Sequence, residues 1–166
     1  MYVTKLTSPV RNLLLASDGQ ALTGLWLEGQ KYFAATLEND IVEQADLPVF
    51  RQTAAWLDAY FKKDPLPALP PLAPKGSTFR QAVWELLLQI PYGQTTTYGE
   101  LTSRLRESGV SAAPQAVGGA VGHNPISILI PCHRVLGADG SMTGYAGGVE
   151  KKQFLLELEG ALTSNK

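Results

Sequence analysis

Ile126-Ser127-Ile128-Leu129-Ile130-Pro131-Cys132-His133-Arg134-Val135 is the stretch on which the reading of this 166-residue chain turns. The apolar run before Pro131 is too short for a helix, so it predicts a buried extended segment that delivers Cys132 at its end. A lone cysteine commonly serves as a small buried hydrophobe. Cys132, however, sits where the chain must turn, and His133 and Arg134 behind it are both groups that favour a thiolate. Gly137, Gly140, Gly144, Gly147 and Gly148 then make a loop of the kind found where a ligand approaches backbone. On an extended chain neighbouring side chains point apart, so His133 reaches Cys132 only through a turn or a bridging water. These residues leave two readings open, a packed thiol and an activated nucleophile.

Upstream of this stretch the sequence is helical. Thr78-Phe79-Arg80-Gln81 fits a capping box, with Ala82, Val83, Leu86, Leu87 and Ile90 on one face. Pro91-Tyr92-Gly93 closes that helix. Thr97-Tyr98-Gly99-Glu100 opens a second one carrying Leu101 and Leu105, and Pro114 belongs in the first turn of a third. Helix, short glycine-containing turn, helix is a helix-turn-helix pattern, although any helical pair resembles it. Gly118 and Gly119 inside the third helix each cost about 1 kcal/mol relative to alanine. Either they permit close helix packing, or something large, such as a nucleic-acid backbone, lies against that bare face. Downstream, residues 150–159 predict an amphipathic helix with Phe154, Leu155 and Leu158 inward and Glu159 at the border of the apolar face.

The first third reads as sheet. Residues 3–6, 12–17 and 21–26 are short β-compatible runs separated by Ser8-Pro9 and Asp18-Gly19 turn signals. Asp46 is placed to cap a helix reaching about Lys62, with Phe50, Ala54, Leu57 and Phe61 at helical spacing. Pro65, Pro67, Pro70, Pro71 and Pro74 fall within residues 64–76, an extended connector and the best domain boundary in the chain. The expected class is α+β. Residues 1–75 form a small mixed domain of antiparallel sheet plus helix, including the connector, and residues 76–166 a mostly helical domain with a helix-turn-helix.

Composition narrows the function. With 45% hydrophobic and 17% charged residues the chain can bury a core. No apolar run approaches the roughly 20 residues of a membrane helix, and the N-terminus lacks a signal-peptide core, so a soluble cytoplasmic protein without membrane association is expected. One cysteine and two histidines cannot fill a tetrahedral zinc site without carboxylates, so no metal or other cofactor is expected. A net charge of −1 gives no basic stripe, and any DNA contact must be a small local footprint.

Asn124-Pro125-Ile126-Ser127-Ile128-Leu129-Ile130-Pro131-Cys132-His133-Arg134-Val135 resembles the active-site signature of the O6-alkylguanine-DNA alkyltransferase (methylated-DNA–protein-cysteine methyltransferase) family. The likeness runs through Ala116-Val117-Gly118-Gly119-Ala120 and Thr143-Gly144-Tyr145-Ala146-Gly147-Gly148 to Leu155-Leu156-Glu157-Leu158-Glu159-Gly160, about residues 78–160, with Pro91-Tyr92-Gly93 and Thr97-Tyr98 in place. The first 75 residues resemble the family only in layout. The resemblance implies direct-reversal repair of double-stranded DNA, in which a flipped O6-alkylguanine (or O4-alkylthymine) gives its alkyl group irreversibly to Cys132. His133 would take the thiol proton through a water and Glu159 would orient His133. Asn124 would hold the active-site turn, and Tyr98 would donate to guanine N3 and crowd a phosphate. Val135, Tyr145, Ala146 and Ser127 would line the base pocket. Gln115 would occupy the intercalating position, with Thr97, Ala116, Gly118 and Gly119 against DNA. The protein would act as a monomer.

Two departures stand out. Gln115 replaces the arginine that most members insert into the stack, which predicts weaker DNA binding or slower flipping. Ser127 replaces a proline of some members, which leaves alkyl size open. The metal-ligating cysteine and histidine of some N-terminal domains are absent. Rival readings are a cysteine hydrolase, distinguished by turnover, a lesion binder without alkyl transfer, against which Cys132 itself speaks, and a helix-turn-helix regulator insensitive to loss of Cys132.

Overall fold

Leu13-Leu14-Leu15-Ala16-Ser17 and Leu22-Thr23-Gly24-Leu25-Trp26-Leu27 are near-continuous apolar runs, as strands covered on both faces require. In the computed structural model, which describes residues 1–142 and 144–162, they are the middle of a four-stranded sheet. Thr143, part of the family-like stretch, lies outside the described residues. β1 (Tyr2–Leu6) pairs antiparallel with β2 (Leu13–Ser17), and β2 pairs antiparallel with β3 (Leu22–Leu27), Leu15 facing Leu25. β4 (Val42–Glu43) runs parallel to β1 on the other side. The turn between β2 and β3 is held by Asp18, whose carboxylate accepts from the backbone N–H groups of Gln20 and Ala21, both at 2.9 Å.

β3 is buried along its whole length, yet one of its edges faces away from β2. Two segments from far along the chain satisfy that edge. The proline-rich connector pairs at Leu72, with Leu22 N–H donating to Pro71 and Ala73 N–H to Leu22, both at 2.8 Å. Residues 125–129 pair at Ile126, where Leu25 N–H donates to the Pro125 carbonyl and Ser127 N–H to the Leu25 carbonyl at 2.8 and 2.9 Å. The first compact unit therefore comprises Met1–Lys75 together with Pro125–Leu129, so the proline-rich boundary does not separate all of the chain.

α1 (Pro48–Lys62) buries Val49, Phe50, Thr53, Trp56, Leu57 and Tyr60 and packs on β2. The expected cap, Asp46, is displaced: Leu47 is the capping residue and makes no side-chain cap, because Pro48 at the first helical position sets the start by its fixed φ. Ala54 and Phe61 of the expected face are only half-buried.

The second unit comprises Gly76–Asn124 and the residues from Ile130 onward. α2 (Thr78–Leu88) starts one residue earlier in its cap than expected, since Ser77 rather than Thr78 accepts from Arg80 N–H. It buries Val83, Trp84 and Leu87, and the Trp84 indole donates to the Ala120 carbonyl at 2.8 Å, tying α2 to α4 (Pro114–Gly122). α3 (Tyr98–Glu107) is capped by Thr97, whose hydroxyl accepts from Glu100 N–H at 3.1 Å. α3 and α4 pack together across a turn containing Gly109 at φ 87°, the helix-turn-helix. A two-stranded parallel pair, β5 (Thr96–Thr97) with β6 (Val135–Leu136), brings the start of α3 beside the segment that follows Cys132.

α5 (Val149–Leu158) corrects the expected inward face. Lys152, Leu155 and Leu156 are buried, whereas Phe154 is 38% exposed and Leu158 half-buried. With Glu159 just past the helix end, the buried stripe is Lys152, Leu155, Leu156 and Glu159, an i, i+3, i+4, i+7 face with a charge at each end. Sequence patterning assigns such charges outward, and here both find buried partners. Among the described residues no helix is long and apolar enough to cross a membrane.

The sheet carries one polar defect. The Thr23 hydroxyl is buried without a hydrogen-bond partner, which costs about 1–3 kcal/mol. Thr23→Val should raise the chemical-denaturation midpoint, by about 1 kcal/mol in unfolding free energy; an unchanged or lowered midpoint contradicts this account.

Candidate active site

Residues 126–130 are buried as expected but not extended. Ile128 has φ 72°, and Leu129 N–H donates to the Ser127 carbonyl at 2.8 Å across it, a tight γ-turn. A β-branched residue there stores about 1–3 kcal/mol of strain. Pro131 (φ −82°, ψ 64°) forms a second tight turn, with Cys132 N–H donating to Ile130 at 2.8 Å. Residues 132–134 then form one 3-10 turn in which Cys132, His133 and Arg134 are all buried. The strand geometry that would separate adjacent side chains is absent.

Cys132 is 4% exposed. Burial pushes its thiol up to about 11, against the pull of a hydrogen bond from the Asn124 amide and the charge of Lys152. Asn124 also donates through Nδ2 to the Ile130 carbonyl at 2.8 Å, so one buried side chain fixes the turn and touches the thiol.

His133 is fully buried. Its Nε2 lies 2.6 Å from Glu159 Oε2, while its Nδ1 has no hydrogen-bond partner among the described residues. Burial lowers its pKa, with Glu159 opposing. Glu159 receives Arg134 Nε on Oε1 at 2.8 Å and Arg134 Nη2 on Oε2 at 3.0 Å, with Gly93 N–H at 3.5 Å. Burial alone would raise its carboxyl, but the hydrogen bonds and charges of His133 and Arg134 win and bring it down to about 2. Arg134 therefore serves Glu159, not the thiol, which the sequence could not distinguish.

Tyr98, at the first position of α3, is half-buried, and burial followed by the nearby Cys132 raises its pKa. Gly144 (φ 90°) lies against it so closely that a Cβ there would stand 2.6 Å from the Tyr98 hydroxyl. The Tyr145 ring meets His133 edge to face at 6.5 Å, and its hydroxyl is buried without a partner among the described residues. Ala146 is half-buried in the same loop. The Val135 carbonyl accepts from Lys152 Nζ, a fully buried ammonium whose pKa burial lowers to about 8 despite the pull of Cys132. Lys152 was invisible to sequence reasoning, because a lysine in an amphipathic helix is read as solvent-facing.

The remaining expected residues lie elsewhere. Ser127 belongs to the first unit, where its hydroxyl donates to Gln30 at 3.2 Å. Thr97 is engaged as the α3 cap. Gln115, Ala116 and Gly119 are exposed on α4 and Gly118 is half-buried; a Cβ on either glycine would meet nothing within 4 Å, so helix packing does not require them. Among the described residues no cluster of three or more histidine, cysteine or carboxylate side chains could hold a metal.

An α+β chain that buries its one cysteine next in sequence to a histidine paired with glutamate, in the same unit as a helix-turn-helix, belongs to the class of buried-thiol proteins, and comparison makes it specific. Residues 1–74 match the ribonuclease-like domain of 6-O-methylguanine DNA methyltransferase, and residues 78–161 match its DNA-binding domain. The chain belongs to this family. It is 44% identical over 160 residues to the methylated-DNA–protein-cysteine methyltransferase of Haemophilus influenzae, covering 96% of this chain and 86% of that protein. The Methanosarcina mazei protein of the same name is 42% identical, with 96% and 97% covered. The crystal structure of Mycobacterium tuberculosis OGT in complex with DNA superposes with a TM-score of 0.83 at 40% identity, over 97% of this chain and 94% of that one.

Both His133 and Glu159 titrate lower in the folded chain than their ordinary values of 6.5 and 4.5. The folded state therefore binds fewer protons, so their contribution is whole above about pH 6.5 and is lost as pH falls, first through the His133 range and finally toward 2. Glu159→Gln should remove the part of that loss that falls below about pH 4.5, while the His133 part stays, since Glu159 opposes the lowering of His133. At neutral pH it should destabilise by about 3–5 kcal/mol, because Arg134 stays buried without its carboxylate. Urea melts across pH check both, and a wild-type-like pH dependence in the variant refutes the assignment.

Proposed function

We propose that this protein repairs DNA by direct reversal, accepting the alkyl group of an O6-alkylguanine on Cys132 once per molecule. The observation that carries the reading is the burial of the protein's one cysteine, next in the chain to a buried His133 whose Nδ1 has no hydrogen-bond partner among the described residues, within the domain matched to the family. A thiol so enclosed cannot reach a base stacked in a duplex. The nucleotide must rotate out into the pocket, at a few kcal/mol. The DNA-bound Mycobacterium tuberculosis relative supports duplex DNA as the partner.

In the reaction Cys132 Sγ attacks the alkyl carbon, the S–C bond forms as the C–O6 bond breaks, and the electron pair leaves with guanine. The thiol proton passes through a water to His133 Nδ1, whose orientation Glu159 holds. Tyr98 donates to N3 of the departing base, which takes up a proton, so charge balances. Tyr145 and Ala146 flank the base, and the Val135 carbonyl receives its exocyclic amine on the lone pair not taken by Lys152. A thioether offers no leaving group that restores the thiol, so the chain is consumed. On this reading the protein acts as a monomer in the cytoplasm. Asn124 holds the turn. The α4 face of Gln115, Ala116, Gly118 and Gly119, with Thr97, meets the DNA.

Incubation with duplex DNA holding one radiolabelled O6-methylguanine should place at most one equivalent of label per chain, on the peptide containing Cys132. Cys132→Ala should abolish it, and His133→Phe should slow it by about 10²–10⁴-fold. Label beyond one equivalent, or none, sinks the reading.

Gln115 is shorter than arginine and uncharged, so Gln115→Arg should tighten duplex binding or speed transfer. Titration by fluorescence anisotropy and single-turnover rates read both, and no change in either removes Gln115 from the flipping machinery.

A further inference from the structure

We infer that Arg134 is a positioning residue for alkyl transfer: its guanidinium grips both oxygens of Glu159 and thereby fixes which nitrogen of His133 is left to take a proton. The inference rests on the reading of Cys132 and His133 given above. All three guanidinium nitrogens are engaged in the core, Nε on Oε1 at 2.8 Å, Nη2 on Oε2 at 3.0 Å and Nη1 on the Ile90 carbonyl at 2.7 Å. The Tyr92 ring lies over the guanidinium carbon at 5.8 Å. A forked group is needed for this set of contacts, and a lysine would supply a point charge only.

The consequence reaches the imidazole through one oxygen. Glu159 Oε2 is shared by Arg134 Nη2 and His133 Nε2, so a carboxylate already gripped by a guanidinium stays ionised and can only accept. His133 Nε2 must then be the donor, and the neutral ring carries its lone pair on Nδ1, the nitrogen with no partner among the described residues. The charged groups bearing on His133 are Lys152 from α5, Glu159 just past its end and Arg134 from its own turn, with Tyr145 against its ring and Cys132 before it in the chain. The two cations disfavour protonation of the ring and Glu159 favours it. With the guanidinium gone, Glu159 would face His133 alone, the imidazolium would be favoured, and Nδ1 would already hold a proton when the thiol needs to lose one.

The test compares wild type, Arg134→Met and Arg134→Lys by two readouts: the acid limb of the single-turnover transfer rate against pH, and the ¹⁵N signals of His133, assigned with a His123→Gln variant. In Arg134→Met the acid limb should rise by about one pH unit, a tenfold change in proton concentration at half-rate, and Nδ1 should show protonation at neutral pH. Arg134→Lys should move both the same way by less. A folded Arg134→Met whose acid limb and Nδ1 signal match wild type overturns the inference, whatever happens to its melting temperature. Should Arg134→Met fail to fold, Arg134→Lys decides, and an unmoved limb with lysine overturns it. If wild type transfers no methyl group, the proposed function fails, while the nitrogen signals, which need no DNA, still judge Arg134.

Discussion

A carboxylate buried to 6% exposure is the constraint around which the second unit is built. An unpaired buried charge is too unfavourable to keep, so Glu159 must be met by donors from every side. Those donors come from separate parts of the chain: Arg134 and His133 from the 3-10 turn, and the backbone of Gly93 from the segment after α2. Arg134 in turn holds the Ile90 carbonyl near the end of α2. Satisfying one acid thus obliges the ends of α2 and α5 to converge on the residues that follow Cys132. The placement of His133 and Arg134 around this acid follows from solving that burial problem.

The other half of the geometry is made by backbone. Two tight turns within five residues, at Ile128 and Pro131, bring the chain from the edge of the first sheet to the thiol. The first is strained, and it persists because the residues around it are tied on both sides, Ser127 to Leu25 and Gln30, and Ile130 to Asn124. A relaxed strand would not have led into the single 3-10 turn that buries Cys132, His133 and Arg134 in succession.

Most of this fold can be read from the chain. The β-compatible runs, the proline-rich connector, the Thr97 cap and Pro114 at the head of α4 all follow from local rules that tertiary contacts leave intact. What could not be read were the positions where packing overrides such rules. Pro48 sets the start of α1 in place of Asp46, and Ser77 caps α2 ahead of Thr78. Lys152 turns inward because the Val135 carbonyl awaits it, and Phe154 turns outward in exchange. At the site, Cys132, His133 and Glu159 were marked by their family-like context. Arg134 was visible only as a cation next to a cysteine, since nothing in the order of residues says which anion a guanidinium will choose. The β5–β6 pair is two residues per strand, below what alternation can signal.

The outer edge of β3 has a consequence for how such chains can change. The matched halves, 1–74 and 78–161, read as two modules joined by a linker. The sheet of the first is nevertheless finished by Pro125–Leu129, which lie inside the second. Recombination that exchanged either module between distant relatives would part a strand from its partner and leave an open, apolar sheet edge, the surface that seeds aggregation. The two modules must therefore be inherited together, and drift in Leu25 or Ile126 is answerable to the other.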